Sequence, residues 1–116
     1  MRDVSERLRD IQEAITQITK YTYLGRQTFD QDELIQIWVI HHLEIIGEAA
    51  RSIPQEFKNN HTVVPWNQIS KMRNVLIHIY FGIDLDVIWE VVERDLPVLK
   101  SSIDSLLASQ EGTSNA

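Results

Sequence analysis

No cysteine occurs among the 116 residues, which excludes a disulfide framework and a thiolate metal site and suits a reducing cytoplasm. Glycine and proline are scarce, at 4 and 3 residues, so the positions they occupy are informative as breaks in regular structure. No apolar run approaches the roughly 20 residues of a membrane span, and the opening "MRDVSERLRD" is too charged for a signal peptide. The chain is therefore expected to be soluble and cytoplasmic, without a membrane partner. Cations are the scarcer charge: 11 Lys and Arg stand against 17 Asp and Glu, a formal net charge of −6. That balance argues against a general nucleic-acid coat, which needs clustered cations, yet leaves room for a small phosphate site in a cleft. There is no Gly-rich phosphate loop, so the chain is not expected to bind ATP in that manner.

What is present reads as one globular domain. Hydrophobic residues make up 43% and charged residues 24% of the chain, an ordinary folded composition. The expected domain runs over residues 1–108, with "SQEGTSNA" at 109–116 as a disordered tail. Val4, Leu8, Ile11, Ile15 and Ile18 recur at helical steps, giving a first amphipathic helix that Gly25 stops. Asp30 with Glu33 resembles a capping box, which predicts a second, largely apolar helix from about Gln31 to the residue before Pro54. Gly47 inside it suggests close approach by another backbone. Residues 54–64 read as a loop, Pro65 suits the first turn of a third helix ending near Gly82, and Asp84 caps a fourth that Pro97 should bend. Short connections between four helices predict an all-α antiparallel four-helix bundle.

The third helix carries the segment "KMRNVLIHIYFG". At about 100° per residue, Asn74, His78 and Tyr80 lie roughly 100°, 140° and −20° from Arg73, while Ile69, Met72, Val75, Leu76 and Ile79 gather on the opposite side. A polar arc is ordinarily a solvated face. Here it is interleaved with Trp66, Ile77 and Phe81, which favours a partner surface, and self-pairing about a two-fold axis would join two copies of the motif. The residue types suit metal-independent cleavage of RNA. Histidine can act as general base or acid toward a ribose 2′-hydroxyl, arginine can meet charge growing on the phosphate, and Asn74 can hold the imidazole or donate to a phosphate oxygen.

"RNVLIHIY" matches the R-x-x-x-x-H-x-Y pattern of the HepT-like HEPN ribonuclease toxins, and the chain resembles that family over nearly its whole length. "RLRDIQEAI", "LEIIGEAAR", "PWNQISKMRN" and "IWEVVERDLPVLK" carry the rest of the resemblance. It implies a HEPN-like homodimer joined through the third helix, with Arg73 and His78 of both subunits lining a composite RNA-cleaving site. It also implies the toxin of a type VII-like toxin–antitoxin pair. Its partner would be a minimal nucleotidyltransferase antitoxin that transfers AMP from ATP to Tyr80. A bulky anion there would fill the cleft and neutralise Arg73.

Other features carry less. His41 and His42 are adjacent, so they diverge by about 100° and do not form a metal pair. Glu44 and Glu48, one turn apart, fit surface or interhelix hydrogen bonding better than catalysis. Trp38, Trp66 and Trp89 fit core or interface packing better than base stacking. No metal or cofactor is expected. Two functions remain: an endoribonuclease leaving a 2′,3′-cyclic phosphate, or a non-catalytic helical module that docks a nucleotidyltransferase. The motif favours the enzyme, because docking alone does not require Arg and His at fixed positions.

Overall fold

Asp3 opens the first helix by accepting a hydrogen bond from the Glu6 amide at 2.9 Å, and α1 follows over Val4–Thr22. The structure, a computed structural model, describes the backbone of residues 3–78 and 84–114 and the side chains of residues 3–73 and 84–110. Leu8, Ile11, Ile15 and Ile18 of α1 are buried along one stripe, as their three- and four-residue spacing dictates. Gly25 then turns the chain at φ 99°, a conformation that favours glycine.

After Gly25 the structure departs from expectation. Arg26–Gln31 forms a short helix, α2, and the cap of the next helix is Asp32 rather than Asp30. The Asp32 carboxylate accepts from the amides of Leu34 at 3.0 Å and Ile35 at 3.3 Å, opening α3 over Glu33–Arg51. Burial decides the point. Phe29 of α2 is 1% exposed and packs 5.3 Å, centroid to centroid, from Trp89. Buried Gln36 donates to the carbonyls of Phe29 and Asp30 at 2.9 and 3.2 Å, satisfying acceptors that a helix end otherwise leaves open. Asp30 is left to pair with Arg26 at 3.3 Å, and Arg26 also bonds Asp86.

The expected loop at 54–64 contains a further short helix, α4, over Gln55–Asn60, with the Phe57 ring stacked on His61 at 4.0 Å. Helix α5 spans Trp66–His78 and starts where Pro65 was expected to help start it. The Pro65 carbonyl accepts from the Gln68 and Ile69 amides at 3.0 and 3.3 Å. The expected end near Gly82 lies outside the described residues.

Asp84 caps as expected, accepting from Asp86 and Val87 at 3.1 and 3.3 Å. Helix α6 covers Leu85–Glu90, a π-helical turn covers Val91–Asp95, and α7 covers Leu96–Ser114, past residue 108 where the sequence places the domain end. The π turn, whose widened bond runs from the Leu96 amide to the Val91 carbonyl, stands where Pro97 would otherwise crowd the preceding turn. It also absorbs an irregular step. Ile88, Val91, Leu96, Leu99 and Ile103 are all buried, although the step from Val91 to Leu96 is five positions rather than three or four.

Tertiary hydrogen bonds and contacts give the directions. Gln12 of α1 bonds Asp104 of α7 at 2.7 Å, and the Trp38 indole of α3 donates to the Gln17 carbonyl of α1 at 2.7 Å. Arg7 and Asp10 of α1 share a cavity with Glu44 and Glu48, so α1 and α3 run antiparallel. Likewise Gly47 meets Arg73 while Ala50 shares a cavity with Trp66 and Ile69, so α5 runs antiparallel to α3. The fold is all-α, with no strand among the described residues, and its core joins Ile11, Ile18, Ile46, Met72, Leu99 and Ile103 across the four long helical segments. No helix among the described residues is long and apolar enough to cross a membrane.

Candidate functional site

Packing of α5 on α3 fixes Arg73. Ile69 and Met72, on the inward stripe of α5, are 2% and 3% exposed, which turns the next position toward the edge of α3. There the aliphatic stem of Arg73 lies over Gly47. A Cβ built on this glycine would meet the Cβ, Cγ and Cδ of Arg73 at 3.7 to 3.8 Å. The close approach expected at Gly47 is therefore made by an arginine side chain rather than by backbone. The guanidinium continues to Glu48, 3.4 Å from its Oε1, with 40% of the Arg73 side chain exposed. Glu48 lies 4.0 Å from Arg51 as well, so one carboxylate serves two cations.

Arg73 borders a cavity of about 220 Å³ between α3, α4 and α5, lined also by Gly47, Arg51, Lys58, Trp66 and Ser70. Three cations around one small cavity in a chain of net charge −6 make a local positive field of the kind that concentrates anions. Trp66 is half-buried and turned onto its own chain: its indole Nε1 donates to the His61 carbonyl at 2.9 Å, and Lys58 Nζ lies 5.8 Å from its ring centroid. It packs against the core. An argument for self-pairing from apolar residues beside the motif consequently rests on Ile77 and Phe81, whose side chains lie outside the described residues.

Of the residues singled out in the sequence, Arg73 and Trp66 meet at this cavity. The backbone of Asn74, Ile77 and His78 belongs to α5, but their side chains, and all of Tyr80 and Phe81, lie outside the described residues. Sequence reasoning missed Arg51 and Lys58 and gave Glu48 no partner. The spacing of Glu48 and Arg51, three apart on one helix, shows only that they can meet each other; the junction with Arg73 depends on the α3–α5 crossing.

The rings of His41 and His42 lie edge-on to each other, 5.1 Å between centroids. His42 is buried with Nδ1 2.8 Å from the Trp38 carbonyl, and exposed His41 faces a different cavity beside Arg7, Asp10 and Glu44. Among the described residues there is no cluster of three or more His, Asp or Glu able to hold a metal ion.

The profile of the family described as "Ribonuclease HepT-like" matches residues 11–106. A protein of Thermococcus cleftensis named "Probable ribonuclease HepT" is 44% identical over 100 residues, covering 85% of this chain and 91% of that protein. One of Methanocaldococcus jannaschii, "Putative RNase MJ1380", is 38% identical over 104 residues, covering 89% and 95% respectively. A longer protein of the same organism, "Gamma-glutamylcyclotransferase and putative RNase MJ0434", is 37% identical over 115 residues, 98% of this chain and 52% of its own length. No solved structure gives a significant match.

Proposed function

The chain belongs to the HepT-like ribonuclease family, and from that premise we propose that it is a metal-independent endoribonuclease, the toxin of a type VII-like toxin–antitoxin pair. The observation that carries this reading is the setting of Arg73: a cation on α5, stem packed on Gly47, at the mouth of a cationic cavity, five residues before His78 on the same helix. Five residues rise about 7.5 Å and rotate roughly 140°, so Arg73 and His78 of one helix diverge. A two-fold pairing of α5 helices through Ile77 and Phe81, with Trp66 at the margin, would set motif residues of two protomers around one RNA strand.

In that composite site the imidazole of His78 takes the 2′-hydroxyl proton, the 2′-oxygen attacks the adjacent phosphorus, the bond from phosphorus to the 5′-oxygen breaks, and the imidazolium so formed gives its proton to the departing 5′-oxygen. Arg73 offsets the added charge on the phosphoryl oxygens, and Asn74 holds the imidazole or a phosphate oxygen. The products carry a 2′,3′-cyclic phosphate and a 5′-hydroxyl. Tyr80, which helical periodicity in the sequence would set about 20° from Arg73, is the acceptor for AMP from ATP, transferred by a minimal nucleotidyltransferase antitoxin.

Purified protein incubated with RNA tests the reading. Cleavage should persist in EDTA, disappear in Arg73→Ala and His78→Ala, and disappear in Ile77→Asp together with the dimer seen by light scattering. Activity retained by His78→Ala, or lost to EDTA, would remove the acid–base scheme.

A further inference from the structure

Beside the Arg73 cavity lies a second one of about 430 Å³, and the two share Lys58 and Trp66 as a common wall. The linings differ in kind. Arg51, Lys58 and Arg73 make the first cationic, whereas Gln55, Asn59, Thr62, Asn67 and Gln68 surround the second with amides and a hydroxyl. Between them stands the Trp66 indole, its nitrogen already bonded to His61 and Lys58 above its ring. Cations that neutralise phosphate, an aromatic face on which a base can stack, and amides that can read base edges occur here in sequence along one groove.

We infer that this groove, from Arg73 across Trp66 to the amide-lined cavity at α4 and the start of α5, is the subsite for a nucleotide flanking the scissile bond of single-stranded RNA. The inference rests on the ribonuclease reading and extends it to substrate selection. A phosphate next to the scissile one sits between Arg51 and Lys58, its base stacks at Trp66, and the amides of Asn59, Asn67 and Gln68 discriminate among bases. Glu48, whose carboxylate holds Arg73 and Arg51, occupies the place that RNA phosphate competes for. Single-stranded RNA is favoured over an acidic protein segment because carboxylates would engage the cations but leave the stacking face and the amide wall without a match. It is favoured over a free mononucleotide because Arg73, given to the scissile phosphate, and the Arg51–Lys58 pair, given to the next one, together call for two linked phosphates.

The groove makes Trp66 a reporter. Trp38 is bonded to Gln17 and packed on Tyr21, and Trp89 packs on Phe29, so neither lines it. Titration of a hexaribonucleotide into full-length His78→Ala protein, which holds RNA without cutting it, should quench tryptophan fluorescence. Trp66→Phe should abolish the quench, with circular dichroism confirming the helices. Lys58→Gln, a surface change that spares the core, should weaken binding roughly fivefold or more and lower the salt slope by about 0.7, the share of one phosphate contact on a single strand. Quenching that survives Trp66→Phe, or Lys58→Gln binding with unchanged affinity and slope, would overturn the subsite; if Trp66→Phe does not fold, Lys58→Gln decides alone. Quenching of equal affinity by AMP, or displacement of the RNA by an Asp- and Glu-rich peptide at equal concentration, would overturn the assignment to an RNA strand. Cleavage assays on the unsubstituted protein separate the two claims. Cutting without groove-dependent binding removes only the subsite, and groove-dependent binding without cutting removes the ribonuclease reading.

Discussion

The guanidinium of Arg73 rests 3.4 Å from the Glu48 carboxylate after its stem has crossed Gly47, the residue immediately before Glu48 in α3. Two consecutive residues of one helix thus set both the path and the end point of a side chain from another. The pair is open to solvent, with 63% of the Glu48 side chain exposed, so it directs Arg73 more than it stabilises the fold.

Glu48→Gln keeps the side-chain volume and removes the anion with which, on the proposed subsite, RNA phosphate competes. RNA affinity, measured by titration in a His78→Ala background, should rise severalfold at low salt, while thermal stability should change by less than about 1 kcal/mol. Weaker binding in Glu48→Gln would show that the carboxylate prepares Arg73 for RNA instead of competing for it.

Gly47 offers a graded test of the same geometry. A methyl group would meet the Arg73 stem at 3.7 Å, an ordinary contact, so Gly47→Ala should fold and gain up to about 1 kcal/mol from helix propensity. Gly47→Leu cannot share the space with that stem. It should cost about 1 to 3 kcal/mol by overpacking and displace Arg73, so that RNA cleavage drops even where circular dichroism shows the helices intact.

On the proposed toxin–antitoxin reading, Tyr80→Phe should remain folded and toxic yet escape silencing by a minimal nucleotidyltransferase antitoxin. Incubation with that enzyme and ATP should add AMP to the unsubstituted protein and none to Tyr80→Phe, as read by intact mass. AMP found on Tyr21 or Tyr23 would defeat the assignment; those residues lie at the far end of α1, where Tyr21 packs edge-on against Trp38.

Acid sensitivity should trace in part to the α1–α7 contact. Hydrogen bonds from Gln12, then Lys100, hold the Asp104 carboxyl below its ordinary range. A carboxylate favoured in the folded state adds stability above its unfolded value, near pH 4, and that contribution is lost as pH falls through the lowered folded value. Asp104→Asn should therefore flatten the acid limb of a stability profile below about pH 4 while leaving the shape between pH 6 and 8 unchanged. Chemical denaturation at several pH values would measure it, and identical acid limbs would contradict it.

The sequence made legible whatever is decided locally. Asp84, Pro65 and Gly25 mark their boundaries because a cap, a ring or a positive φ acts within a few residues, and the stripe from Leu8 to Ile18 follows from period alone. Asp30 and Asp32 were not separable that way, since each precedes an apolar helix with glutamate nearby. Their roles are settled by Phe29 reaching Trp89 and by Gln36 bonding back to α2. Helix α4 was missed because six residues present less than two turns of periodicity. Arg73 was legible as a motif residue, but its companions Glu48, Arg51 and Lys58 come from other helices, and only the crossing of α3 and α5 selects them.

The π-helical turn at Val91–Asp95 ties the register of the last helix to its local winding in a way that composition would not suggest. The five-residue step from Val91 to Leu96 behaves as a stutter in an otherwise three-and-four pattern, and the wide turn keeps both residues in phase with the core. Regular α-winding of the same residues would instead swing everything downstream by about 100°, turning Leu99, Ile103 and Leu107 toward water and pulling Asp104 away from Gln12 of α1, whereas deleting one residue from the turn would restore regular winding with the phase kept. What looks like a local irregularity is the phasing element that brings the two halves of the terminal rod onto one buried line.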